Sequence, residues 1–238
     1  MKLKHIKQAI SEAKSQDHFS SLPPSFLKVP SPKSSAELEE DIKDYITSAR
    51  IEHFTSPLSP DILDQCLKLF EDNMGDFYRS SQWGLDMDEK RKELTHDDAR
   101  FVIVLTNDIS TTNSVAESGE ESAKKQIVLG FAHFRYEEDD EDDPTVPVSY
   151  LYELQIQSTQ QKAGIGKRLM NIVELLALKS HMHKVMLTVF KANEKAMGFY
   201  LNKMKYEVDE NSPSNFEGEE NENCDYEILS KNLLRRTK

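Results

Sequence analysis

The chain has 238 residues, enough to bury a full hydrophobic core, and its 30 Lys and Arg against 42 Asp and Glu give a net charge of −12. This acidic balance argues against duplex DNA or an anionic membrane as the main partner. It favours a basic partner such as a Lys/Arg-rich peptide, although an acidic surface can equally serve solubility alone.

Cysteine content and hydropathy indicate the compartment. The two cysteines, Cys66 and Cys224, are too few for a disulfide framework or a Cys-x-x-Cys zinc site and indicate free thiols in a reducing environment. No segment reaches the roughly 18 apolar residues of a membrane span, and residues 1–5 lack the apolar core of a signal peptide. His133, His181 and His183 have no spacing typical of a metal site. We therefore expect a metal-free, soluble protein of the cytoplasm and nucleus.

The N-terminal part divides at about residue 58. Ser and Pro residues scattered over 15–58 predict an extension that wraps the domain irregularly or is mobile, with one helical stretch near 36–47. Ser59 and Pro60 then supply an N-cap and a first helical residue. The apolar residues that follow on one helical face are Ile62, Leu63, Cys66, Leu67, Phe70, Met74 and Phe77. A second, charged helix is predicted over 86–94.

The rest of the chain alternates strands and helices. Apolar and β-branched runs predict strands at 101–105, 127–136, 148–157, 185–190, 206–208 and 226–230. Helices are predicted from residue 165 and over 194–204. A polar loop at 106–125 and an acidic tract at 137–143 separate the first three strands. We expect one domain over 59–232, followed by a basic tail of 233–238.

The most informative motif is Gln161-Lys162-Ala163-Gly164-Ile165-Gly166-Lys167. It joins a strand to an amphipathic helix, where unpaired backbone N–H groups and the helix dipole favour a bound phosphate. A Walker loop would need Gly at Gln161 and Ser or Thr at Arg168, and a dinucleotide fingerprint would need Gly at Leu169. The alternative is an ordinary helix start whose glycines do not bind a ligand.

The remaining pattern, Gln-x-x-Gly-x-Gly, resembles the acetyl-CoA pyrophosphate loop of the GNAT acetyltransferases. A second landmark, Asn193 followed by Tyr200 and Tyr206, is similar to the second cofactor motif of that superfamily, and the element order agrees. The resemblance implies an α/β (α+β) fold with a central mixed twisted sheet flanked by helices, and acetyl-CoA as cofactor. The implied cofactor-binding residues are Leu154, Gln155, Ile156, Lys162, Ala163, Gly164, Ile165, Gly166, Lys167 and Asn193.

Longer runs resemble the NatD family of N-α-acetyltransferases within that superfamily. These runs are residues 77–78, 82–84, 89–91, 132–135, 150–155, 184–191, 212–214 and 226–230. The resemblance implies acetylation of the α-amino group of core histones that begin Ser-Gly-Arg-Gly, namely histone four and histone two A. It also implies a monomer that works without an auxiliary subunit and binds histone tails, not nucleic acid or membrane.

Amine attack on a thioester needs a base, and the resemblance implies Glu153 in that role, directly or through a water. A Glu paired with a surface cation is the alternative. Strict strand alternation puts Glu153 opposite Tyr152, so both reach one site only if the strand bulges there. Tyr200 is the candidate general acid for the departing thiolate, with core packing as its alternative role.

For the peptide substrate, the resemblance implies contacts from aromatic, polar and acidic side chains. The implied residues are Tyr78, Trp83, Glu137, Asp139, Tyr150, Tyr152, Thr188, Asn211 and Tyr226. Trp83 can equally plug the core, and the acidic tract can equally be a solvated loop. Two other functions stay open: a GNAT enzyme acting on lysine or polyamine amines, and a GNAT-shaped module that binds histone tails without catalysis.

Overall fold

The computed structural model describes residues 2–30, 49–107, 125–140, 143–218 and 223–233. The helix predicted near 36–47, most of the loop predicted over 106–125 and nearly all of the predicted basic tail lie outside the described residues. Within the described part, no helix is long and apolar enough to cross a membrane.

Seven strands of the described chain form one mixed sheet in the order β1-β2-β3-β4-β5-β7-β6. The strands are β1 (Arg50–Thr55), β2 (Arg100–Asn107), β3 (Gln126–Glu138), β4 (Pro147–Ile156), β5 (Lys184–Phe190), β6 (Glu207–Val208) and β7 (Tyr226–Asn232). Neighbouring strands pair antiparallel, except that β4 and β5 run parallel. The mixed α/β fold is confirmed, and the six predicted strands are found to within two residues at each end.

Helices cover both faces of this sheet. They are α1 (Lys2–Ser15), α2 (Pro60–Ser80), α3 (Met87–Leu94), α4 (Ile165–Lys179) and α5 (Glu194–Gly198). Helix α5 continues directly into a π-helical stretch, Phe199–Met204, where one regular helix is predicted from the sequence. Asp86 caps α3 by accepting hydrogen bonds from the backbone N–H groups of Asp88 and Glu89.

Two elements were not predicted from the sequence, α1 and β1. Helix α1 is mostly polar, and its buried stripe is limited to Ile6, Ile10 and Ala13. Strand β1 has a single buried residue, Ile51, so no alternation marks it. Both elements are stabilised by the rest of the domain, since α1 lies against β3 and β4 and β1 pairs with β2.

The sheet separates two hydrophobic cores. On one face, α1 and α4 pack on the middle strands, with Leu169, Ile172 and Val173 fully buried. On the other face, α2 covers a second core that includes Phe101, Ile103 and Phe131. One group of buried polar residues, Lys90, His133, Glu153 and Gln155, lies on the α2 face near the middle of β4, and this is where the candidate site is found.

Candidate active site

The glycine loop forms the start of α4. Gly164 is the N-cap residue with φ of 94°, a left-handed conformation that favours glycine, and Lys162 also has positive φ at 64°. This geometry turns the chain so that the first-turn N–H groups of α4 are free of helical partners, as at any helix start. The residues present therefore fit a pyrophosphate group, with Lys162 and Lys167 as neighbouring cations.

The adjacent strands diverge where a cofactor arm would lie. Pairing between β4 and β5 runs from Val148–Lys184 to Leu151–Leu187 and goes no further among the described residues. Leu154 and Ile156 follow this point, and their side chains pack on the α4 core. Beyond Leu151, the edge of β4 that faces β5 has no strand partner among the described residues. A pantetheine chain that hydrogen-bonds to β4 requires such a free edge. Gln155 points to the opposite face, where Asn73 donates to its side-chain oxygen at 3.0 Å.

A β-bulge sits in β4 at Tyr152. Leu151 pairs with Phe134 and Glu153 pairs with His133, so Tyr152 is the extra residue between two consecutive pairs. The ring of Tyr152 stacks on His133 with centroids 5.1 Å apart, on the α2 face. The Glu153 side chain reaches the same face, where it contacts α3. The bulge that the two adjacent site residues require is therefore confirmed.

Glu153 lies in a buried charge cluster on this face. The Lys90 Nζ atom of α3 donates to Glu153 Oε1 at 2.8 Å and to Glu93 Oε1 at 2.8 Å. The side chains of Lys90 and Glu153 are only 6% and 4% exposed. Lys90 also lies 4.5 Å from the centre of the Phe70 ring. The pairing of Glu153 with a cation, one of the two roles considered from its sequence, is thus present, but the cation is buried.

The contacts in this cluster, together with burial, shift the pKa values of its side chains. Burial opposes the charged form of Lys90, yet the Glu153 and Glu93 carboxylates outweigh it and hold the pKa of Lys90 above its ordinary value. Burial raises the pKa of Glu93, against the opposing effect of Lys90. Burial also raises the pKa of Tyr78, nearby on α2, to about 12.

Lys90 and Glu93 were not predicted as site residues. The sequence does carry a signal, because Lys90 shares the inward face of α3 with Met87 and Leu94, at spacings of three and four residues. A lysine in line with apolar residues on a short helix indicates a buried cation that needs a carboxylate partner.

An open groove of about 600 Å³ leads from the surface to this cluster. Its lining is Phe70, Tyr78, Trp83, Gly84, Leu85, Asp86, Glu89, Lys90, Lys92, Glu93, His96 and Arg135. Trp83 is 50% exposed, so it does not plug the core. Its ring contacts those of Tyr226 and Phe190, with centroids 5.0 and 5.1 Å away. These rings connect the α2–α3 turn with the end of the sheet.

Seven of the nine predicted substrate residues fall into two groups. Tyr78, Trp83 and Tyr226 lie in or beside the aromatic group at the groove. The second group lies further along the sheet, where Tyr150 hydrogen-bonds Thr188 and the Tyr152 hydroxyl donates to Glu137 at 2.8 Å.

Asp139 does not lie with these residues. Its side chain is nearly inaccessible and accepts hydrogen bonds from Thr145 and from the backbone N–H of Val146, with Lys184 at 3.8 Å. The Asp139 carboxylate thus holds the β3–β4 turn closed, and its contact with a substrate arginine stays a prediction. Asn211 donates to the Asp139 backbone oxygen at 3.2 Å and stays close to this turn.

Tyr200 and Asn193 lie in the segment that follows β5. Tyr200 lies in the π-helical stretch and packs into the core beside Phe199 and Tyr206. Burial, and then the charge of Glu153, raise the pKa of Tyr200, which keeps its proton on the phenol. The Asn193 side-chain oxygen caps α5 by accepting from Ala196 N at 3.1 Å, and its Nδ2 lies 3.8 Å from Met74 Sδ.

Comparison with known proteins identifies the fold and the family. Residues 66–206, more than half of the chain, match the acetyltransferase (GNAT) family. A GNAT-family acetyltransferase from Staphylococcus aureus is similar in structure, with a TM-score of 0.51 and 13% identity over 77% of this chain and 99% of that one. Arabidopsis thaliana NAA60 in complex with acetyl-CoA gives a TM-score of 0.50 and 14% identity over 76% and 98%. A chain of the NatC complex bound to Gag peptide and CoA gives 0.49 and 16% over 77% and 99%.

The chain therefore belongs to the acetyltransferase (GNAT) family. At these identities, the structural likeness concerns the fold alone.

Proposed function

We propose that this protein is an N-α-acetyltransferase of the NatD type, which transfers acetyl from acetyl-CoA to the α-amino group of histones beginning Ser-Gly-Arg-Gly. Family membership makes the chain an acetyltransferase, and acetyl-CoA is its acetyl donor. The observation that carries the finer proposal is the groove, which runs from the aromatic group at Trp83 to a buried carboxylate cluster at the β4 bulge.

The groove matches the N terminus of a basic peptide. Aromatic rings at its mouth offer apolar walls, while Asp86, Glu89 and Glu93 supply negative charge along the lining. A lysine acceptor has a pKa of about 10.4 against about 8 for an α-amine, so it would demand a stronger base. The site offers carboxylates rather than such a base, which favours the α-amine.

The chain's own residues would act on a bound thioester as follows. The loop of Gly164 would hold the pyrophosphate, and the edge of β4 beyond Leu151 would align the pantetheine arm. A carboxylate beside Lys90 would remove a proton from the amine, and the buried, protonated Tyr200 would serve the leaving sulfur. When bound, acetyl-CoA supplies the activated acetyl group.

Glu137 is the candidate contact for the substrate arginine. Both of its oxygens accept from the Tyr152 hydroxyl, and burial raises its pKa. Arg135 lies 3.8 Å away, so the carboxylate already accommodates one guanidinium in its vicinity. A second guanidinium from the substrate would give a charge-assisted contact and favour the charged carboxylate.

The experiment pairs this residue with the substrate. Peptides beginning Ser-Gly-Arg-Gly-Lys and Ser-Gly-Ala-Gly-Lys are incubated with acetyl-CoA and each enzyme variant, and the acetylated nitrogen is located by fragmentation mass spectrometry. We expect acetyl on the α-nitrogen, a preference for the arginine peptide, and loss of most of that preference in Glu137→Gln. The control is Glu138→Gln, because Glu138 is adjacent in sequence but pairs with Lys7 of α1 at 3.9 Å. Acetyl on the lysine, or no preference for arginine, would refute the proposal.

A further inference from the structure

The two oxygens of Glu153 are both occupied. Oε1 accepts from Lys90 Nζ and Oε2 accepts from Gln155 Nε2, each at 2.8 Å. Gln155 is itself fixed by Asn73 of α2, which donates to its oxygen at 3.0 Å. This chain of hydrogen bonds links α2, β4 and α3 and leaves Glu153 almost without solvent contact.

Glu93 is placed differently. Its side chain is 26% exposed and lines the groove, whereas Glu153 is not among the groove-lining residues. Its two oxygens accept from the same Lys90 Nζ at 2.8 and 3.0 Å. Lys90 thus carries one buried carboxylate on its inner side and one accessible carboxylate on the side that a substrate would approach.

We infer that Glu93 is the carboxylate that accepts the proton of the substrate's α-ammonium group, and that Glu153 is a positioning residue that fixes Lys90 and thereby Glu93. This inference rests on the proposed N-α-acetyltransferase function. A proton passes from the α-ammonium group to a Glu93 oxygen, and the freed nitrogen lone pair attacks the thioester carbonyl carbon. The C–N bond forms, the C–S bond breaks with its electron pair on sulfur, Tyr200 gives its phenol proton to that sulfur, and the second nitrogen proton goes to the phenol oxygen.

The surroundings of Glu93 support this role. The charged and titratable groups around its carboxylate are Lys90 on its own helix, Glu153 on β4, Tyr78 on α2, and Arg135 and His133 on β3. His133 Nδ1 lies 3.8 Å from Glu93 Oε1, and burial, together with Arg135 and Lys90, holds the pKa of His133 well below its ordinary value. His133 is therefore neutral and adds no cation to Lys90 and Arg135. Burial leaves Glu93 with a raised pKa, which brings it closer to that of an α-amine and favours proton transfer.

The test compares Glu93→Gln, Glu153→Gln and the control Glu71→Gln between pH 6.5 and 9.5 on a free α-amine peptide. Glu71 of α2 does not line the groove and pairs with exposed Arg79. We expect Glu93→Gln to lower kcat by about 100-fold at pH 7, the usual contribution of a positioned base. The loss should shrink as the pH passes about 8, where the amine arrives neutral. Glu71→Gln should keep at least half of kcat, and the loss in Glu153→Gln should stay constant with pH.

A second variant separates chemistry from folding. Glu93→Asp keeps the carboxylate and should recover part of kcat with the wild-type pH profile. Wild-type kcat in Glu93→Gln, or a loss in Glu93→Gln that does not change with pH, would overturn the assignment. A loss of kcat in Glu153→Gln that shrinks as the pH passes about 8 would also overturn the assignment. Failure of the wild-type enzyme to acetylate any α-amine would refute the proposed function itself and is seen in the same assay.

Discussion

Lys90 and Glu153 form a buried ion pair, with Nζ and Oε1 separated by 2.8 Å and both side chains almost excluded from water. One residue comes from the short helix α3 and the other from the bulged middle of β4, 63 positions apart in sequence. The pair therefore ties the helix that lines the groove to the strand that borders the cofactor loop.

Breaking this pair should destabilise the protein. Lys90→Met leaves Glu153 as an uncompensated buried charge, and we expect a loss of about 3–5 kcal/mol in the free energy of unfolding. Urea denaturation of wild type and variant measures it. The matched control is Lys92→Met on the same helix, whose pair with Glu89 is exposed on both sides and whose removal should have no measurable effect. Equal stability of the two variants would show that the pair is not buried in solution.

Gly130 of β3 should not tolerate a side chain. A Cβ atom there would lie 2.6 Å from Ile156 Cδ1 and 2.8 Å from the Gln155 backbone oxygen. Gly130→Ala must push β4 away next to the glycine loop, so we expect a loss of about 1–3 kcal/mol in the free energy of unfolding and weaker acetyl-CoA binding. Gly198→Ala is the control, because its Cβ would meet nothing closer than 3.8 Å and alanine favours a helix. A Gly130→Ala protein with unchanged stability and cofactor affinity would contradict the predicted contact.

His53 should make the fold sensitive to acid. Burial, aided by Arg100, lowers the pKa of His53 to about 4, and its ring stacks on Phe19 with centroids 5.4 Å apart. Between that pKa and about 6.5, the unfolded chain binds a proton that the folded chain does not, so stability falls as the pH falls through this window. The slope is up to about 1.4 kcal/mol per pH unit.

The variant His53→Phe keeps the stacking and removes the titration. Chemical denaturation at pH 7, 6 and 5 should therefore show a shallower decline for this variant than for wild type. Identical declines would mean that His53 has the same pKa in the folded and the unfolded chain. His133, whose pKa burial also lowers, should account for part of the decline that remains.

The N-terminal helix should be part of the folded domain. Ile6 of α1 is 4% exposed and belongs to the core on the α4 face. Ile6→Ala should cost about 2–5 kcal/mol of unfolding free energy, as for other buried isoleucines. Leu3→Ala on the same helix removes a side chain that is 44% exposed and should change stability little. If the two variants unfold at the same denaturant concentration, α1 does not pack on the domain in solution.

The sequence predicted the elements whose apolar pattern is strong, and the glycine loop between two of them. It also anticipated the bulge, because Tyr152 and Glu153 can share a face only if strand alternation fails there. By contrast, α1 and β1 bury too few residues to leave a pattern, and the sheet supplies their stability. For Asp139, a run of acids does not reveal which carboxylate accepts hydrogen bonds from its own turn. Lys90 leaves a local signal in its spacing on α3, but its contact with Glu153 joins segments 63 positions apart, and local patterns do not encode such a contact.

The measurement that tests the central claim most directly is kcat/KM for two peptides that begin Ser-Gly-Arg-Gly-Lys and differ only in a blocked or free α-amine. An N-α-acetyltransferase should acetylate the free peptide and leave the blocked one, with its lysine intact, unmodified. Equal kcat/KM values for the two peptides would contradict this account and make the protein an acetyltransferase of lysine side chains.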